Sequence, residues 1–290
     1  MPVLDDAHAV VIGIAGYPNI GKLPAVVLKD AQDIRGILVD PDMCAYPPAN
    51  VQLLLDDQAM RGKIRTSLAD LAARTTPEST VFIYISSHGA SIKSGPLAGA
   101  YLLPYDTVND SAEALAGSSI SGEEMTQSLA AIPAHKMVVV LDCCHAGGIG
   151  ALKDAMAPEI KTGLPAEYFA TLREGTGRVI LSSSLSTESS QVLPNDENSL
   201  FTRFLLEGLR GEAPGPGGVI RILALLSYVQ PKVAAAARQH PLLEAEVQEN
   251  FPIALYPRLK APTEVPAQAP ADEFAYDAFI SYQDREPDKA

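Results

Sequence analysis

Residues 138–148 read VVVLDCCHAGG: three valines and a leucine, then an aspartate, two adjacent cysteines, a histidine and small residues. An apolar run this short and continuous reads as a strand buried on both faces. It begins at Lys136 and ends at Asp142, which leaves Cys143, Cys144 and His145 at its carboxyl tip. The same pattern stands upstream in TVFIYISSHGA (80–90), where a strand over 80–86 gives out just before His88 and Gly89.

The rest of the chain alternates in the same manner. AVVIGIA (9–15), VQLLL (51–55), GRVILSSS (177–184) and FPIALY (251–256) read as further strands. Apolar residues at helical spacing predict helices over 23–40, 59–74, 121–132, 199–209 and 220–238, with Pro231 bending or dividing the last. Ser121 with Glu124 three residues on predicts a capping box. Apolar strands separated by helices imply an α/β fold, a mostly parallel sheet covered on both faces. Ligands of such sheets bind beyond the carboxyl ends of the strands. That rule directs attention to His88 and the Cys-Cys pair.

Composition narrows the function. The 290 residues are 47% hydrophobic and 20% charged, which supports a sizeable core. A net charge of −13 argues against nucleic acid or an anionic membrane as partner. No apolar run approaches a membrane span, and the acidic start 1–7 is no signal peptide. Three cysteines, two of them adjacent, are not a disulfide framework, so a reducing cytoplasm is expected.

A cysteine and a histidine at the tips of two neighbouring strands suit nucleophilic catalysis, in which a base takes the thiol proton. The amides of Gly89 and Cys144 are placed to receive an oxyanion. Alternation along a strand turns Cys143 and Cys144 to opposite sides and does not say which faces the groove. Two rivals exist. GYPNIGKL (16–23) nearly matches a phosphate-binding loop, but Leu23 stands where a Ser or Thr must reach magnesium, and Pro24 follows. Cys143, Cys144, His145 and His88 offer zinc ligands, but adjacent cysteines lack the usual spacing, so no metal is expected.

These residues resemble the caspase–metacaspase family of cysteine peptidases. The metacaspase histidine motif, tyrosine-serine-glycine-histidine-glycine, corresponds to Ile85-Ser86-Ser87-His88-Gly89. The cysteine motif, aspartate-serine-cysteine-histidine-serine-glycine, corresponds to Asp142-Cys143-Cys144-His145-Ala146-Gly147. A histidine roughly 50 residues before the cysteine is also a caspase spacing. The resemblance runs over about 8–257, with HAVVIGIAGY, LKDAQDI, YLLPYDT and LFTRFLLEGLRG as further matching segments. It implies a caspase-like three-layer sandwich with a six-stranded sheet, Cys144 as nucleophile, His88 as general base and Cys143 as bystander. Asp142, Asp30 and Ser86 match lining positions of a primary specificity pocket built for arginine or lysine. The resemblance therefore implies protein or peptide substrates cut after a basic residue. Gln-Ala-Cys-Arg-Gly is absent, which argues against an aspartate-specific caspase. Ser87, Ala90 and Ala146 depart from the pattern without removing the dyad.

Family members are often cut between a large and a small subunit, here about 1–150 and 177–258. Lys153, Lys161 and Arg173 in or beside the intervening 149–176 are candidate self-processing sites. No cofactor is required; calcium activation occurs in the family, and no ligand cluster in the sequence establishes it. A catalytically silent scaffold of the same fold is the remaining alternative, though such proteins usually lose the dyad. A Pro- and Ala-rich linker is expected over 259–272. YDAFISYQDRE (276–286) then resembles the start of a TIR domain, so 273–290 reads as a truncated TIR-like segment of a longer protein, or a vestige. TIR-linked signalling partners and a bacterial defence or cell-death role would follow by analogy.

Overall fold

The computed structural model describes residues 4–143, 160–173, 177–184, 191–193, 196–213, 215–237, 239–246 and 249–255. Its strands are β1 (Ala7–Gly13), β2 (Val51–Leu55), β3 (Thr80–Ser86), β4 (Gly89–Ile92), β5 (Gly99–Leu102) and β6 (Ile120–Ser121). They continue with β7 (Lys136–Asp142), β8 (Ile160–Thr162), β9 (Arg178–Ser182), β10 (Val219–Arg221), β11 (Leu242–Glu246) and β12 (Pro252–Leu255). The helices are α1 (Val26–Val39), α2 (Arg61–Arg74), α3 (Ala112–Ser118), α4 (Gly122–Ala130), α5 (Ala166–Leu172), α6 (Leu200–Glu207) and α7 (Ile222–Ala236). Met1–Arg258 form one compact unit, which contains every described residue.

Six strands form the central sheet in the order β11-β9-β7-β3-β1-β2. All neighbours are parallel except β11, which runs antiparallel to β9. Strand alternation divides the core into two clusters. Val10, Ile12, Ile83, Ile85, Val139 and Leu141 face one side, with α2, α4 and α5 packed on them. Val11, Phe82, Tyr84, Val138 and Val140 face the other, under α1, α6 and α7. Both faces of β1 and β3 are therefore buried, which is why neither strand alternates with polar residues. Burying one such side chain contributes roughly 1.5–3 kcal/mol, enough for the sheet to dictate the layering.

The expected strands 80–86, 136–142 and 51–55 are β3, β7 and β2. Others shift. β1 starts and ends two residues earlier than the apolar run, and α1 begins only after Pro24 and Ala25. The helix expected over 220–238 is two elements, β10 and α7. Pro231 does not divide α7, which runs on from Ile222 to Ala236. Pro231 and Ser227 are both exposed, so water can satisfy the carbonyl that proline leaves without a donor. A second sheet, β6-β5-β4-β8, grows directly from the end of β3.

Candidate active site

β3 and β7 pair with Ser86 opposite Asp142. The next pair, Ser87 and Cys143, is in side-chain contact, Oγ to Sγ 3.5 Å. His88 stands one residue further on its strand. Cys144, His145 and Lys153 belong to 144–159 and lie outside the described residues.

Cys143 belongs to the core. Only 7% of it is exposed, and its Sγ also meets the Ile85 carbonyl oxygen at 3.8 Å. Burial pushes its thiol up to about 12, a shift that the Ser87 hydroxyl only partly offsets. A cysteine so held behaves as a small hydrophobe rather than a nucleophile.

His88 is held on three sides. Its Nε2 lies 2.8 Å from the Gly21 carbonyl oxygen. A carbonyl only accepts, so Nε2 carries the proton and Nδ1 keeps the lone pair. Its backbone N–H donates to the Tyr17 hydroxyl (3.0 Å), which donates to the Leu103 carbonyl (2.9 Å). The Tyr17 ring lies 5.0 Å from the imidazole, centroid to centroid. Burial lowers the His88 pKa to about 4, against a smaller opposing effect of the Gly21 carbonyl. The imidazole is therefore neutral at pH 7, with one nitrogen fixed as donor and the other as acceptor.

The loop that orients His88 is GYPNIGKL, the stretch that nearly matched a phosphate-binding loop. It cradles no helix start; Leu23 N–H donates to the Ala15 carbonyl (2.9 Å) and closes the loop on itself. Its foot is held by Asp56 at the tip of β2. Asp56 Oδ1 accepts from Ala15 N–H (2.8 Å) and Gly16 N–H (2.9 Å). Asp56 sits at φ 43°, a left-handed value that is rare for a non-glycine residue. A Cβ on Gly16 would stand 3.0 Å from Asp56 Oδ2, so glycine leaves the room the carboxylate occupies. We expect Asp56→Ala to loosen this loop and expose the imidazole. An NMR titration should then show His88 moving from about 4 toward its ordinary value near 6.5. Asp56→Asn keeps an acceptor oxygen and should leave the titration low. An unmoved His88 in the alanine variant would contradict the anchoring.

On the opposite side of the strand tips, two carboxylates share a buried pocket. Asp142 is 5% exposed and Asp30 0%. Asp30 is buried although it lies on α1. Asp142 Oδ2 accepts from Ser199 Oγ (3.1 Å) and Thr202 Oγ1 (3.4 Å). Asp30 accepts from Ser199 N–H (3.1 Å) and Asn198 Nδ2 (2.9 Å), and the same amide reaches Asp33 at 2.8 Å. Burial and the neighbouring Asp142 raise Asp30 to about 7, despite the Asn198 and Ser199 hydrogen bonds. Ser86 closes the floor, its Oγ donating to the Asp142 carbonyl at 3.4 Å. The cavity, about 50 Å³, has apolar walls that include Leu23, Val26, Val27 and Val192. Apolar walls over paired acids suit an aliphatic stem with a cationic head.

Gly89 begins β4, and its carbonyl accepts from Gly163 N–H at 2.7 Å. A Cβ there would meet Leu164 at 2.7 Å, so the position takes only glycine without repacking. Lys161 is exposed in β8, opposite Ser91 of β4. Arg173 follows α5 and pairs with Glu244 at 3.7 Å. Among the described residues, no three His, Cys, Asp or Glu side chains group to hold a metal. Two of the four zinc ligands considered, Cys144 and His145, are outside that set. Among those residues, too, no helix is long and apolar enough to cross a membrane.

Sequence reasoning brought His88, Asp142, Asp30 and Ser86 to this edge of the sheet. It missed Tyr17, Gly21, Asp56, Asn198, Ser199 and Thr202. One signal was readable: VQLLLD ends on an acid at a strand tip as VVVLD does.

Comparison with known proteins fits this geometry. A family model described as "Caspase domain" (Peptidase_C14) matches residues 6–252. No curated protein sequence matches the chain significantly. Among solved structures, protein GSU0716 from Geobacter sulfurreducens superposes with a TM-score of 0.57 at 16% identity, over 84% of this chain and 94% of that one. Caspase-1 from Spodoptera frugiperda superposes with a TM-score of 0.51 at 15% identity, over 85% and 88%.

Proposed function

The chain belongs to the caspase-domain family, and from that premise we propose that it is a cysteine endopeptidase cutting peptide bonds after arginine or lysine. The observation that carries the specificity is the buried pair Asp30 and Asp142 beneath apolar walls. Cys143 is engaged in the core, so the nucleophile is its neighbour Cys144. His88 Nδ1 takes the thiol proton as sulfur attacks the scissile carbonyl. The Gly89 and Cys144 amides receive the oxyanion. The C–N bond then breaks as the imidazolium returns its proton to the leaving amine, and water hydrolyses the thioester. Gly21 and Tyr17 hold the ring throughout and so keep the tautomer correct.

The large and small parts, the linker from 259 and the TIR-like start at 273 complete the reading. It joins a protease to a signalling segment of a bacterial defence or cell-death protein acting in the cytoplasm. Self-processing after Lys153, Lys161 or Arg173 belongs to it as well, and Lys161 would first have to leave β8.

The pocket makes a pH-dependent demand. Unliganded Asp30 holds its proton up to about pH 7. A guanidinium binds the ionised pair, so below pH 7 an arginyl substrate must expel that proton. Affinity for it therefore rises with pH up to about 7 and then levels. Citrulline, the uncharged isostere, makes no such demand. The ratio of kcat/KM for arginyl over citrullinyl peptide cancels the ionisation of the dyad. It should climb roughly 20-fold from pH 5.5 to 7.5. A flat ratio, or preference for citrulline, would sink the basic pocket.

A further inference from the structure

The acid pocket occupies only one side of the strand tips. On the other side, where side chains of the β4–β5 sheet join the cluster under α2, α4 and α5, lies a second and larger cleft of about 1150 Å³. Ser91 and Ile92 of β4, Tyr101 of β5 and Tyr168 of α5 are among its lining residues. One side chain, Leu164, both lines the cleft and packs on Gly89.

We propose that this cleft binds the leaving-group side of the substrate, an extended peptide segment C-terminal to the scissile bond. The inference rests on the peptidase reading and deepens it. The proton that His88 takes from the thiol goes back to the departing amine nitrogen, so that half of the substrate must pass the imidazole. β4 starts at the next residue, Gly89, and leads from there into the cleft. The acyl half stays bonded to sulfur, with its basic side chain on the Asp30 and Asp142 side. A peptide crossing the sheet edge in this way engages both cavities at once. β8, the edge strand of the small sheet, offers a ladder for extended chain. Lys93, Lys161, Glu123 and Glu167 are all among the cleft's lining residues, so the lining carries both signs of charge.

The test compares two substrates with the same acyl sequence ending in arginine. One carries aminomethylcoumarin as leaving group, the other four further residues. For the unmodified protein, the extension should raise kcat/KM about tenfold. Ala98→Trp, at an exposed lining position, should remove most of that gain while leaving the coumarin substrate within twofold. Thr171→Trp, at a second exposed lining position, should likewise cost the extended peptide most of its gain and leave the coumarin substrate within twofold. No gain from extension, or equal losses on both substrates, overturns the cleft assignment and leaves the peptidase reading standing. Failure to cleave either substrate overturns both.

Discussion

Cys144→Ala abolishes cleavage of an arginyl peptide, a loss of at least about 10⁴-fold, whereas Cys143→Ala retains more than half of it. The size of the first effect is that of removing a covalent nucleophile. The second follows from where Cys143 lies. Its sulfur is enclosed by the Ser87 hydroxyl and the Ile85 carbonyl, and with a pKa of about 12 it is essentially never a thiolate at neutral pH. Removing one buried sulfur leaves a small void worth on the order of 1 kcal/mol, which should lower the melting temperature by a few degrees. The two cysteines therefore separate by readout: one variant inactive, the other active and slightly less stable. An inactive Cys143→Ala protein with an intact melting curve would reverse the assignment. His88→Ala should match Cys144→Ala in activity, since a dyad fails when either member is lost.

Asp142→Asn lowers kcat/KM for the arginyl peptide by about 10²- to 10³-fold and spares the citrullinyl one. The amide keeps the shape and can still accept from Ser199 and Thr202, so the fold is conserved. What is lost is a buried charge opposite a buried cation, for which about 2–5 kcal/mol is typical. A second consequence is independent of catalysis. Asp142 is one cause of the raised Asp30 pKa, next after burial. Removing its charge should let Asp30 ionise below pH 7. Because a raised folded pKa costs stability as pH rises from about 4 to 7, the variant should lose less stability over that interval than the parent. Unchanged preference for arginine, with the Asp30 titration unmoved, would contradict the pocket.

The central architecture was legible because its strands are buried on both faces. β3 and β7 are continuous apolar runs, and no other element fits such a pattern at that length. Their parallel pairing also makes a sequence spacing meaningful: Ser86 and Asp142 are opposite, so residues just beyond them share one edge. The small sheet was not legible. β4, β5, β6 and β8 have two to four residues each, and partners distant in sequence supply their pairing. The capping box was half right. Ser121 Oγ accepts from Glu124 N–H at 3.1 Å, but the Glu124 carboxylate turns away to Arg61 and Arg65 of α2. Two arginines outcompeted one backbone amide. Asp56, Asn198 and Ser199 escaped notice because each acts across the chain, Asn198 on an acid 168 residues away. Periodicity carries no trace of such contacts.

The most direct measurement is covalent. An arginine-derived chloromethyl ketone places its ketone where the scissile carbonyl lies when the side chain fills the acid pocket, and its neighbouring methylene carbon is alkylated by a thiolate there with loss of chloride. Peptide mapping of the labelled protein should find a single adduct on Cys144, absent in His88→Ala and strongly reduced in Asp142→Asn. An adduct on Cys143 or Cys44, or labelling indifferent to Asp142, would contradict a thiol nucleophile at the tip of β7 served by a neutral histidine and an acidic pocket.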